Sequence, residues 1–291
     1  MTPAEVEREV RLIELGTRRL VRDLVAGDYA SAFKGRGVEF ADVRAYEIGD
    51  DVRTMDWRVT ARMGTPYVRR YQEERELTIV LAIDCSASGN VGSDLRTKRE
   101  LAAHLAAIVA LAAVRRNDRI GALLFTDHLE RFVAPRKGRR HALRLVNDVL
   151  AFQPSRSGTD LTGALAHLES ALHRRTVLFV ISDFLGTGYE STLTRLARQH
   201  EVIAVRLTDR VEEELPSVGL LTVRDPESGR SRVIDTRSNI VLESLRTERH
   251  AVRHNVIETV RRAGADILEL DAARGYAEPL VAFFRRRAQR R

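Results

Sequence analysis

The 291-residue chain reads as an α/β protein, a doubly wound, mainly parallel sheet with helices on both faces and a small N-terminal appended subdomain. Two observations predict this class. Several apolar runs of strand length, L-T-I-V-L-A-I, R-I-G-A-L-L-F-T, T-V-L-F-V-I-S-D and E-V-I-A-V-R-L-T, are continuous rather than alternating, as strands covered on both faces require. Helical patterns separate most of them, so the connections are long enough for the crossovers that parallel strands need. Right-handed crossovers make such a sheet doubly wound.

In chain order, apolar positions from Val6 to Leu24 recur at helical spacing and predict an amphipathic helix over 3–26. Residues 31–76 change character. They are rich in Gly, Asp, Arg and aromatics, with strand-like pieces at G-V-E-F and P-Y-V-R-R-Y and a helix start after Gly49-Asp50-Asp51. We therefore divide the chain into 1–76, a helix with an appended subdomain, and 77–291, the α/β domain. Within the latter, helices are expected at 97–115, 138–152, 161–173, 189–199, 240–263 and 276–289. The segment H-L-E-R-F-V is expected to pair with the R-I-G-A-L-L-F-T strand as a hairpin. G-L-L-T-V-R-D-P-E-S-G-R-S-R-V-I-D-T reads as a second hairpin with its turn at P-E-S-G. A-D-I-L-E-L is a last strand.

Composition narrows the function classes. Apolar content of 44% is that of an ordinary soluble protein, and no run approaches the ~18–20 apolar residues that span a bilayer. The N-terminus lacks the apolar core of a signal peptide. Cys85 is the single cysteine, so no intramolecular disulfide can form, and a cytoplasmic location is expected. Net charge is +7, carried by arginine, with lysine only at Lys34, Lys98 and Lys137. Basic residues mostly alternate with acids, a pattern of solvated ion pairs. Only the tail F-F-R-R-R-A-Q-R-R is densely basic, and it fits equally contact with nucleic acid or an anionic surface and the exposed end of a helix, where cations are tolerated.

The chemistry-bearing stretch is I-V-L-A-I-D-C-S-A-S-G. In an open parallel sheet, ligands bind at the carboxyl ends of strands. One strand ends in Asp84-Cys85-Ser86-Ala87-Ser88, another in Ser182-Asp183, and the loop before the 161–173 helix carries Ser157-Gly158-Thr159-Asp160. Asp84, Ser86, Ser88, Thr159 and Asp183 make a hard, all-oxygen donor set suited to Mg²⁺ or Mn²⁺. Three neutral hydroxyls and two carboxylates leave such an ion under-neutralised, with a position that attracts an external Asp or Glu.

The pattern D-x-S-x-S, a later loop threonine and a still later aspartate resembles the metal-ion-dependent adhesion site (MIDAS) of von Willebrand factor type A domains. Upstream, G-R-G-V-E-F-A-D-V-R-A-Y-E-I-G-D-D-V-R-T-M-D-W-R-V-T-A-R and Y-V-R-R-Y-Q-E-E-R-E resemble the signature of the bacterial domain of unknown function number 58, which couples this segment to a type A-like domain. The resemblance spans about residues 30–290. It implies a metal-dependent protein-binding module, an adaptor or co-chaperone for a MoxR-type AAA+ ATPase, with no reaction of its own.

Other polar residues have plainer readings. Asp160 caps the next helix, and Asp127 is a hairpin turn residue. Asp50, Asp51 and Asp56 serve as caps and as partners of Arg44, Arg53 and Arg58. Trp57 is expected to anchor the subdomain on the sheet, Cys85 to be a small buried residue, and the histidines to fill surface or core. Enzyme signatures are missing: there is no G-x-x-x-x-G-K-[ST] loop and no G-x-S-x-G elbow. A phosphate-ester hydrolase using Asp84 would want a second acid where Ser86 stands. That hydrolase, and an arginine-rich nucleic-acid-binding protein, are the alternative functions.

Overall fold

The computed structural model describes residues 3–23, 39–72, 76–92, 95–213 and 215–290. Its centre is a six-stranded sheet built from β3 (Thr78–Asp84), β4 (Arg119–Phe125), β5 (Leu129–Arg136), β6 (Val177–Ser182), β7 (Glu201–Thr208) and β10 (Asp266–Asp271). The order is β10-β7-β6-β3-β4-β5, with every neighbouring pair parallel except β4 and β5. This is the α/β class expected, including the hairpin that puts an antiparallel strand on one edge.

The period-two geometry of a strand sorts its side chains between two cores. Along β3, Ile79, Leu81 and Ile83 enter one apolar cluster, and Val80 and Ala82 enter the other. The first face is covered by the helices Lys98–Arg115, Arg139–Leu150 and Ala277–Gln289, the second by Leu161–Ala171, Glu190–Gln199 and Asn239–Arg262. Both faces being dry explains why the strands read as unbroken apolar runs. The Lys98–Arg115 helix is alanine-rich, which lets it lie close on the sheet, and a capping box between Thr97 and Glu100 starts it.

The chain leaves β3 toward β4 on one side and later returns to β6 on the other. Their carboxyl ends therefore flank a topological switch point, where open sheets bind ligands.

The N-terminal helix spans Pro3–Asp23 among the described residues; its expected continuation to residue 26 lies outside them. Val10, Ile13 and Val21 are buried in the first core cluster. A boundary at residue 76 thus separates this helix from the unit whose core it shares, because its apolar stripe is satisfied there rather than by the appended strands. Those strands, β1 (Glu39–Ala45) and β2 (Tyr67–Gln72), pair antiparallel; residues 37 and 38 of the expected G-V-E-F piece are outside the described residues. Between them Asp51 caps a short 3₁₀ turn and Asp56 caps the Trp57–Met63 helix, while Asp50 pairs with Arg44 at 2.6 Å. Trp57 does not anchor the subdomain. It is 66% exposed, because the first helical position turns its side chain outward.

The second expected hairpin forms from β8 (Leu220–Arg224) and β9 (Ser231–Asp235). Thr236, fully buried, staples its base by donating to the Gly219 carbonyl at 2.8 Å and accepting from the Val218 and Gly219 amides. No helix among the described residues is long and apolar enough to cross a membrane.

The basic tail is not simply an exposed helix end. Arg287 is buried, donating to Glu201 at 2.8 Å and pairing with Asp266, while Arg286 is exposed. Helical spacing turns one arginine of the run inward and leaves its neighbours in water. Arg287→Ala removes the buried partner of the Glu201 carboxylate, which keeps the exposed Arg175 at 3.2 Å, so it should cost about 2–3 kcal/mol in urea unfolding. Arg286→Ala should stay within about 0.5 kcal/mol of wild type.

Candidate functional site

The site begins where β3 stops. Asp84 is the last strand residue, and its carboxylate is held from three directions. The Ser86 amide donates to Oδ1 at 2.9 Å, the Ser182 hydroxyl donates to Oδ2 at 2.7 Å, and the Thr159 hydroxyl stands 3.5 Å from both oxygens. The chain then enters a 3₁₀ turn, Ala87–Asn90, that brings the buried hydroxyls of Ser86 and Ser88 to 3.0 Å from one another. Thr159 arrives on a separate loop, docked by the Ala87 amide on the Ser157 carbonyl at 2.9 Å and by the Asp160 amide on the Thr126 carbonyl at 2.8 Å.

That loop is further fixed by Glu130, which accepts from the amide and hydroxyl of Ser155, both at 2.9 Å, and from the Thr126 hydroxyl at 3.0 Å. His128 joins the same network at 3.2 Å from the Ser155 hydroxyl, so it is more than surface filling. Asp160 is occupied in capping the Gly163 amide at 2.8 Å, and Asp127 lies in the β4–β5 turn, as expected of both.

Asp183 follows β6. The next residue, Phe184, has φ 60°, a left-handed conformation uncommon for a non-glycine residue, and its ring is locked in the core. Asp183 lines the same small cavity, about 10 Å³, as Asp84, Ser88 and Ser182, with Lys98 and Arg99 also in its wall. A volume of that size holds one water-sized particle. The structure thus brings the Asp84–Ser86–Ser88 turn, Thr159 and Asp183 to one place at the switch point.

Three further residues belong to this place: Ser182, read from the sequence only as a strand end, and Lys98 and Glu212, absent from the expected donor set. Ser182 is a hydrogen-bond donor to Asp84. Lys98, 2% exposed, donates to Asp183 at 3.1 Å and to Glu212 at 2.7 Å. Glu212 is positioned on the turn after β7 by accepting from the Asp209 amide at 3.2 Å. Lys98 had one legible signal: a cation at the first position of a helix opposes the macrodipole and asks for a local anion.

Charge sets the character of the site. Burial, and then the negative charge of Asp183, push the Asp84 carboxyl up to about 6. Burial alone would lower the Lys98 ammonium, but Asp183 and Glu212 outweigh it and raise it. Burial raises Glu212 in spite of Lys98. Three carboxylates face the Lys98 ammonium, and the Arg99 guanidinium, donating to the Cys85 carbonyl at 2.9 Å, lines the same cavity, so the acids outnumber the cations by one.

The donor chemistry fits a hard divalent ion. Adjacent ligands of an octahedral ion with bonds of about 2.0–2.1 Å lie about 3 Å apart, the separation of the Ser86 and Ser88 hydroxyls. Lys98 is the departure from the expected set, since it already engages one Asp183 oxygen; an ion would share Asp183 with it.

Cys85 lies between Asp84 and Ser86, is 3% exposed, and burial pushes its thiol up to about 12. A protonated, enclosed thiol is no nucleophile. With a thiol reagent at pH 8, native protein should react at least about a hundredfold more slowly than protein unfolded in urea.

Comparison with known proteins gives these likenesses. Residues 42–255 match the model of a family described as "Protein of unknown function DUF58". The uncharacterised protein Rv1480 of Mycobacterium tuberculosis is 33% identical over 277 residues, covering 94% of this chain and 87% of that protein. The uncharacterised protein MAV169 of Mycobacterium avium is 30% identical over 158 residues, 53% of this chain and 93% of its own. Among solved structures, the conserved hypothetical protein BatB of Bacteroides thetaiotaomicron aligns with TM-score 0.48 and 16% identity, over 73% of this chain and 99% of that one. An aerotolerance-related membrane protein of Bacteroides fragilis aligns with TM-score 0.49 and 14% identity, over 74% and 100%.

Proposed function

The chain belongs to the DUF58 family, and on that premise we propose that its α/β unit is a metal-dependent protein-binding module that works by capture rather than by catalysis. Asp84, Ser86, Ser88, Thr159 and Asp183 would hold Mg²⁺ or Mn²⁺. The ion supplies a Lewis-acidic position for a partner's carboxylate. The chain's own residues do the rest: Ser182 and the Ser86 amide orient Asp84, and Lys98 balances Asp183 and Glu212.

The observation that carries this reading is the cation deficit at the carboxyl ends of β3 and β6, where Asp84 sits beside Asp183 among hydroxyl donors around a cavity of ion size. The partner class follows from the family resemblance: a MoxR-type AAA+ ATPase in the cytoplasm, for which this chain serves as adaptor or co-chaperone, with an acidic residue of the ATPase or its client as the captured group. The alternatives gain no specific support. Asp84 has both oxygens engaged by Ser182 and the Ser86 amide, which suits a fixed ligand better than a nucleophile attacking a phosphate ester. Many arginines are committed to carboxylates, among them Arg195 to Glu169 and Arg253 to Glu269, leaving less free charge for nucleic acid.

Calorimetric titration of Mg²⁺ tests the site. Wild type should bind, and Asp84→Ala should bind at least about tenfold more weakly. Equal heats in both proteins would remove the site. Co-precipitation of the MoxR-type ATPase in Mg²⁺, lost on adding a chelator, is the expected behaviour of the partner.

A further inference from the structure

The P-E-S-G turn of the β8–β9 hairpin ends against the site. Glu227, in that turn, accepts a hydrogen bond from the Thr159 hydroxyl at 2.9 Å, and its carbonyl accepts from Ser157 at 3.4 Å. It is half-buried while Pro226 and Ser228 on either side are exposed. Thr159 is the same hydroxyl that stands 3.5 Å from both oxygens of Asp84. A carboxylate of this chain therefore lies one hydroxyl away from the residues assigned to the ion.

The turn that presents it is tightly built. Asp225 accepts from the Glu227 amide at 3.0 Å and from the Ser228 hydroxyl, and its own amide donates to the Arg230 carbonyl at 2.8 Å. Gly229 closes the turn at φ 71°, a left-handed conformation that glycine adopts without strain. With the hairpin base stapled by Thr236, Glu227 is held at a defined point above the strand ends rather than swinging on a loop.

A carboxylate placed there adds negative charge to a cluster whose acids already outnumber its cations, and no salt bridge to Glu227 is found among the described residues. Structural economy alone would favour a neutral partner for Thr159. An ion in the site reverses the balance and makes the acid favourable.

We infer that Glu227 is the chain's own carboxylate for this site, occupying in the resting protein the position that a partner's Asp or Glu takes on binding. This rests on the proposed divalent ion. A tethered acid acts at an effective concentration in the millimolar range or above. An external carboxylate must displace it, and its apparent affinity falls by the fraction of time the position is free. The hairpin thus selects partners that bring more than a lone acid to the site.

The test uses the full chain, Mn²⁺ as the metal and acetate as the external carboxylate. Free Mn²⁺ is read by its electron paramagnetic resonance signal, and access of acetate by paramagnetic broadening of its methyl resonance. Glu227→Gln keeps the shape and the acceptor for Thr159 while removing the charge. It should weaken Mn²⁺ binding by about tenfold. At equal Mn²⁺ loading it should broaden acetate severalfold more than wild type does. Glu248→Gln, an exposed acid on the Asn239–Arg262 helix, controls for net charge and should change neither readout. If Glu227→Gln matches wild type in both readouts while Asp84→Ala loses Mn²⁺, the role of Glu227 is overturned and the metal site stands. If wild type itself fails to bind Mn²⁺, both fall together.

Discussion

Everything at the functional end of this molecule turns on negative charge gathered at the carboxyl ends of adjacent parallel strands. Asp84 closes β3 and Asp183 follows β6, and the two strands are hydrogen-bonded neighbours, so their acids cannot move apart. Glu212 adds a third carboxylate from the turn after β7. One ammonium, Lys98, is buried among them and bonds to two of the three, and the Arg99 guanidinium lines the same cavity. Burial, and then the charge of Asp183, drive the Asp84 carboxyl upward, and the Ser86 amide and Ser182 hydroxyl donate to its oxygens.

The fold serves this arrangement by making it rigid. The strands carrying the acids are dry on both faces, and cores above and below fix their register. The hydroxyl-bearing loop is pinned by Glu130 and by two backbone hydrogen bonds, and the turn after Asp183 is locked by the buried Phe184 ring. The β8–β9 hairpin is a different kind of element. It stands outside the main sheet and meets the site through Glu227 and the Ser157–Thr159 segment.

Much of this was legible in the residues. Strands and helices were, because both cores impose an apolar demand that only continuous runs meet. Asp84, Ser86, Ser88, Thr159 and Asp183 were, because polar oxygens at strand ends of a parallel sheet stand out against those runs. The balancing groups were hidden. Lys98 and Glu212 are 114 residues apart. Nothing in an alanine-rich helix or in R-V-E-E-E-L says that they meet. Glu227 was visible only as a turn residue, because pairing of β8 with β9 fixes the hairpin and not what it folds over. Trp57 and Arg287 misled in opposite directions: a lone tryptophan invites a packing role, and a basic run invites an exposed one. In both cases the phase of the helix decided, and a few residues of short or terminal helix do not reveal it.

The central claim is that one hard divalent ion completes the charge at the switch point. Crystals grown with Mn²⁺ and measured for anomalous scattering address it most directly. The expected map has a single peak bounded by Asp84, Ser86, Ser88 and Thr159, with Asp183 shared between that ion and Lys98. A map with no peak there, and Lys98 alone against Asp183, would contradict it.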